Sequence, residues 1–157
     1  LRRQTAALLA AGTGVPEGVE DSVHAARVAA RRLRSGLRVY GDLLRDDVSA
    51  RLRPELAWYA GTLSPARDLE VFAAWLRGPE PVEGLADAVL PWVQRRHAAA
   101  LADAAEASRS PRAAALRQAL IEVSRAPRFV DAASRRAPKV LAPRVLRADE
   151  RAARQLD

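Results

Sequence analysis

The stretch VHAARVAARRLRSGLRVYGDLL, from Val23 to Leu44, constrains the fold most, because two helical periodicities run through it at once. At 100° per residue, His24, Arg27, Arg31, Arg34 and Arg38 fall within an arc of about 80°. Ala26, Ala30, Leu33, Leu37, Tyr40 and Leu44 fall on a second arc centred about 120° away, the face that has to be buried. Arg32 lies well off the basic stripe. Between Asp21 and Asp42 there is no acidic residue. Like charges three and four residues apart repel by about 0.2–0.5 kcal/mol per pair, so the counter-charge is expected from outside the helix.

From His24 to Arg38 the stripe covers about 21 Å at 1.5 Å per residue. A single phosphate needs two or three donors in one place, often at a helix end. A rod of cations over several turns matches an extended polyanion instead. The competing reading is a solvated charged face, but such faces normally interleave acids, and here they are missing. His24 is a poor metal ligand: Val28, one turn on, cannot coordinate, and Glu20 precedes the cap. Beside a row of arginines its protonated form is disfavoured unless an anion sits close, which couples protonation to anion binding.

The rest of the chain reads as helices joined by short loops. Residues 1–11 form a short helix ended by Gly12 and Gly14, and Asp21 or Ser22 caps the helix that runs to about Leu44. A third helix is expected over 49–63, and Ser64-Pro65 reads as a cap and restart for another over 65–77. GPEPVEG at 78–84 is the clearest loop, followed by a helix over about 85–107 that carries Pro91 near its start. Ser110-Pro111 repeats the cap-then-proline signal and opens a helix to Arg125. Pro127, Pro138 and Pro143 break up the C-terminal stretch, leaving a last helix over 143–157. Alanine, at about a fifth of the residues, with leucine and arginine favours helix, and no strand pattern is visible. The expected fold is all-α, an antiparallel bundle of about six helices in one domain over 1–157.

Composition narrows the partners. The net charge is +7, and all but one of the 26 basic residues (Lys139) are arginine. Arginine dominance fits a GC-rich coding bias, and it also fits paired guanidinium–phosphate recognition. Without cysteine there is no disulfide framework, thiolate nucleophile or thiolate metal site, which fits a cytoplasmic protein. No apolar run approaches the length of a membrane span. The chain begins at Leu1 and contains no methionine, so it is expected to be a piece of a longer protein. Two further basic features are Arg67 followed by Asp68, which could orient a stripe arginine or the histidine, and the cluster Arg95, Arg96 and His97.

Together these stretches resemble the CHAD family, the conserved-histidine α-helical domains. VHAARVAARRLRSGL matches the family pattern V-H-x-x-R-V-x-x-R-R-L-R-x-x-L, and Arg67–Val71 reads R-D-L-[DE]-V in LRPELAWYAGTLSPARDLEVFAAWL (52–76). RRHAAALADAAEASRSPRAAALRQAL (95–120) matches more loosely. The resemblance implies a helical bundle that binds inorganic polyphosphate through a basic, helix-lined channel and acts as a binding module rather than an enzyme. Carried over by position, it assigns polyphosphate binding to His24, Arg27, Arg31, Arg34, Arg38 and Arg67, with Arg32 also in the motif. It further implies a neighbouring triphosphate-tunnel (CYTH) domain in the parent chain and, for some members, association with storage granules. A second basic motif of the H-x-L-R-x-x-x-K-R-L-R-Y type is not found after Arg125, so the chain reads as the N-terminal bundle of such a domain.

Two other classes are weighed against this. A nucleic-acid reader wants Asn, Gln or aromatic residues among the arginines, and the stripe offers none. Phosphoryl chemistry wants clustered carboxylates holding a metal, and none lies between residues 22 and 41. No catalytic residue, metal site or cofactor is expected.

Overall fold

The computed structural model describes residues 1–45, 47–78, 84–134 and 137–153. Six α-helices succeed one another: α1 (Arg2–Gly14), α2 (Ser22–Tyr40), α3 (Val48–Leu76), α4 (Leu85–Arg109), α5 (Pro111–Arg125) and α6 (Ala137–Ala153). Among the described residues there is no strand beyond an isolated bridge between Leu44 and Phe129. The all-α bundle is as the sequence predicts.

Helix α2 lies between α1 and α3, α4 packs on the far side of α3, and α6 rests against α2. The apolar arc of α2 is buried where the wheel places it: Ala26, Ala30, Leu33 and Leu37 join one core with Leu52, Leu56, Tyr59 and Leu63 of α3. Leu8, Ala104, Leu116 and Leu120 extend that core through α1, α4 and α5. Inside it, the Tyr59 and Ser108 hydroxyls hydrogen-bond at 3.1 Å, which satisfies both buried oxygens.

Three expectations need correction. Ser64-Pro65 does not restart a helix, because α3 runs unbroken from Val48 to Leu76. A proline inside a helix removes one hydrogen bond and costs about 3 kcal/mol. Here Leu63 and Ala66, each fully buried, flank it, and losing that anchorage would cost the chain more. The Ser64 hydroxyl donates to the Ala60 carbonyl at 3.0 Å instead of capping a new helix. Second, α6 starts at Ala137 rather than at residue 143, with Pro138 in the first turn, where its missing N–H is harmless. The expected helical residues 154–157 lie outside the described residues. Third, α2 ends at Tyr40 and does not run to about Leu44, which is extended after a 3-10 turn over Gly41–Leu43, and it begins where expected but without a side-chain cap: Asp21 takes up a left-handed conformation, φ 59°, which aspartate tolerates. Ser110 does cap α5, its Oγ accepting from Ala113 N at 3.1 Å.

The turn from α2 into α3 is held by a close approach. A Cβ placed on Gly41 would come within 2.3 Å of the Ser49 Oγ, which donates to the Leu37 carbonyl at 2.9 Å. A Cβ on Gly36, in the middle of α2, meets nothing within 4 Å. The two glycines should therefore respond oppositely in denaturant unfolding. Gly41→Ala is expected to destabilise by about 1–3 kcal/mol through overpacking. Gly36→Ala is expected to stabilise by about 0.5–1 kcal/mol through lost unfolded-chain entropy.

A cationic groove between α2 and α3

With the apolar face of α2 pinned to the core, the adjacent face has to project along the α2–α3 seam. His24, Arg31, Arg34 and Arg38 are exposed there. Arg27 is set deeper, its side chain 26% exposed, and is braced against α3. Its Nε donates to Ser64 Oγ at 3.1 Å, and its Nη2 stands 4.0 Å from Asp68 Oδ1. Asp68, expected to orient a stripe arginine or the histidine, thus sits at the limit of an ion pair and is well solvated. The shorter, better-buried contact is the one to Ser64. Because the Ser64 hydroxyl proton is committed to the Ala60 carbonyl, its oxygen is free to accept from Arg27.

Arg31, Arg34, Ser35 and Arg38 form one wall of an open groove of about 660 Å³, and Ala50, Arg53, Pro54 and Ala57 of α3 form the other. No acidic residue lines it among the described residues. Among the described residues, no carboxylate pairs with Arg31, Arg34, Arg38 or Arg53. Arg53 is the residue that sequence reasoning missed. It stands next to the core position Leu52, so the α3 pattern does place it beside the buried face. Which neighbour that side meets is set by the antiparallel docking of α3 on α2, and no residue pattern states it.

Beyond Arg38 and Arg53 the groove continues toward α6, where Arg144 and Arg147 join the lining together with Asp42. Among the described residues Asp42 is the one carboxylate lining this end, and it is already engaged: Arg144 Nε and Nη2 donate to its two oxygens at 3.0 and 2.7 Å. The hydrogen bonds from Arg144 hold its carboxyl below the usual carboxylate range.

The other expected residues are distributed differently. Arg67 donates through Nη1 to Glu70 Oε2 at 3.0 Å, and Glu70 Oε1 lies 3.3 Å from His97 Nε2. This trio ties α3 to α4, so Arg67 stands outside the lining of the α2–α3 groove. Arg95 and Arg96 are exposed on α4, which α3 separates from α2. Arg32 turns to the opposite side of α2, as the wheel places it, and lines an apolar groove with Leu33 and Tyr40. Among the described residues, no group of three His, Asp or Glu side chains is arranged to hold a metal. No described helix is long and apolar enough to cross a membrane.

Among the described residues, then, the chain is an all-α bundle with guanidinium groups from two helices lining the α2–α3 seam. The chain belongs to the CHAD domain family, whose model matches residues 1–157, the whole length given. No curated protein and no solved structure gives a significant match.

The depressed carboxyl of Asp42 makes a pH prediction with a definite sign. A carboxylate with a lowered folded-state pKa contributes stability that is complete above its ordinary value of 3.8 and is lost as pH falls through the lowered one. Asp42→Asn should therefore cost about 1 kcal/mol or less at neutral pH, since the Asp42 side chain is more than half exposed to screening solvent. Its unfolding curve and the wild-type curve should converge in acid, as monitored by circular dichroism.

Proposed function

We propose that this chain is a non-catalytic binding module for inorganic polyphosphate, which lies along the stripe of α2 and in the α2–α3 groove. The observation that carries the reading is the set of four arginines, from two helices, lining one groove without a carboxylate among them. His24 and Arg27 extend the line toward the start of α2. Arginine forks pair with successive phosphoryl oxygens, and the counterions released from the polyanion drive association. Family membership supports the same ligand. The groove lining contains no Asn, Gln or aromatic side chain on which a base could be read or stacked, which favours polyphosphate over nucleic acid. It also offers no carboxylate cluster for phosphoryl transfer. A neighbouring triphosphate-tunnel domain, a second basic face from the parent chain or another copy, and a cytoplasmic or granule location belong to the same proposal and rest on the family resemblance alone.

Calorimetric titration with long-chain polyphosphate at several salt concentrations tests it. With four to six phosphates neutralised, log K should fall with log salt at a slope of about −3 to −4. Arg53→Ala should reduce that slope by about 0.7 and weaken binding, whereas Arg95→Ala, on the far side of α3, should leave both nearly unchanged. Equal losses from the two variants would mean diffuse attraction and not a groove.

Repelling cations held on a rigid bundle lower its stability, and a ligand that binds only the folded state restores it. The melting temperature should therefore rise with long-chain polyphosphate and hardly move with orthophosphate at equal phosphate concentration. Equal shifts from the two would defeat the rod-matching argument. Duplex DNA displacing polyphosphate at comparable charge concentration would defeat the specificity.

A further inference from the structure

On the side of α2 opposite the cationic groove is an open cavity of about 640 Å³. Leu33, Leu37 and Tyr40 of α2 form its floor, and Leu44 and Phe129 form a side wall. Among the described residues its lining contains no acidic one, while Arg3 and Arg32 stand on it. Among the described residues, neither of these arginines has a carboxylate partner. Arg32 is the one arginine of the α2 pattern that polyphosphate binding leaves without a role.

This space is held open by its walls. The segment carrying Phe129 is laced to the end of the α2–α3 turn: Arg45 N donates to the Arg128 carbonyl at 2.8 Å, and Val130 N to the Leu43 carbonyl at 3.0 Å. Arg45 Nε adds a bond to the Phe129 carbonyl at 2.8 Å. Across the opening, Arg2 Nε donates to the Ser124 carbonyl at 3.0 Å and ties the start of α1 to the end of α5. The floor is missing a side chain as well: Gly36 lies in the lining with open space where its Cβ would be. Phe129 is left 53% exposed at the edge. Collapse of the cavity would break these bonds, so apolar surface stays in contact with water.

The chemistry selects the occupant. A volume in the range of small-molecule sites, an apolar floor and the guanidinium groups of Arg3 and Arg32, with Arg2 held on the Ser124 carbonyl beside them, fit a chain of methylenes ending in an anion. A peptide segment would bring amide N–H groups that need acceptors, whereas the charged groups here are donors only. We propose that this cavity binds a long-chain carboxylate, its alkyl tail over Gly36 and its head between Arg3 and Arg32. The proposal is independent of the polyphosphate reading, because the two sites lie on opposite sides of α2.

Titration of the 157-residue chain with dodecanoate below its micelle concentration tests it. Saturable one-to-one binding is expected, tightening with tetradecanoate by up to about fourfold per added methylene. Dodecyltrimethylammonium, with the same tail and the opposite charge, should not compete. Gly36→Leu fills the floor and should weaken dodecanoate binding about tenfold or more. Its helicity and polyphosphate affinity should be unchanged. The double variant R3A/R32A should lose about tenfold while keeping the dependence on chain length. Absence of saturable binding, equal binding of the ammonium amphiphile, or wild-type affinity in Gly36→Leu would overturn the proposal. So would a dimer that Gly36→Leu dissociates, since a second copy would then be the occupant. Were Gly36→Leu to unfold, R3A/R32A alone would decide: unchanged affinity in it sinks the proposal.

Discussion

The docking of α2 on α3 governs the rest of the structure. Leu33 and Leu37 have to be buried, and only a second long apolar helix face can cover them together with Ala26 and Ala30. Leu52, Leu56, Tyr59 and Leu63 supply that face. Once the two helices meet, the basic stripe has nowhere to turn, because it adjoins the buried arc of the same rigid cylinder. Hydrophobic burial therefore forces like charges together along the seam, and Arg53 on α3 adds to them. The stability of the core holds open a site that electrostatics alone would disperse.

Such an arrangement needs a stiff support, and α3 provides it by continuing through Pro65. Were α3 to break there, Ser64 would face a helix end and could not sit beside Arg27. Continuity keeps the Ser64 oxygen at 3.1 Å from the Arg27 Nε. The same unbroken helix carries Glu70 onward to His97 and binds α4 to the far side. One rod thus positions the cationic seam on one side and the half-buried Arg67–Glu70–His97 cluster on the other. That division explains why Arg53 and Arg67, on the same helix, end up serving different neighbours.

The two sides of α2 have opposite characters although they share one helix. Toward α3 the exposed groups are guanidinium, and the groove is polar. Toward the start of α1 they give way to the half-buried Gly36 and Tyr40 above the buried Leu33, and the lining is apolar with a basic edge. Arg31 and Arg32 are consecutive residues, yet a rotation of 100° lets Arg31 line the polar groove and Arg32 the apolar one. A run of arginines is therefore not one patch, and each has to be assigned by its angle about the helix.

Much of this was legible in the residues. The buried arc of α2, its basic stripe, the off-stripe position of Arg32 and the Ser110-Pro111 start of α5 all come from local periodicity and capping chemistry, which act over a few residues. The family, too, was legible, because its patterns lie in contiguous stretches. Tertiary structure alone decided the matters set by packing between distant segments. The passage of α3 through Pro65 depends on Leu63 and Ala66 being buried by other helices. The choice of Ser64 over Asp68 as the nearer partner of Arg27, the arrival of Arg53 opposite Arg38, and the attachment of Arg67 to Glu70 depend on the register of one helix against the next. Local sequence fixes which way a side chain leaves its own helix axis, and only the docking of whole helices determines what it meets.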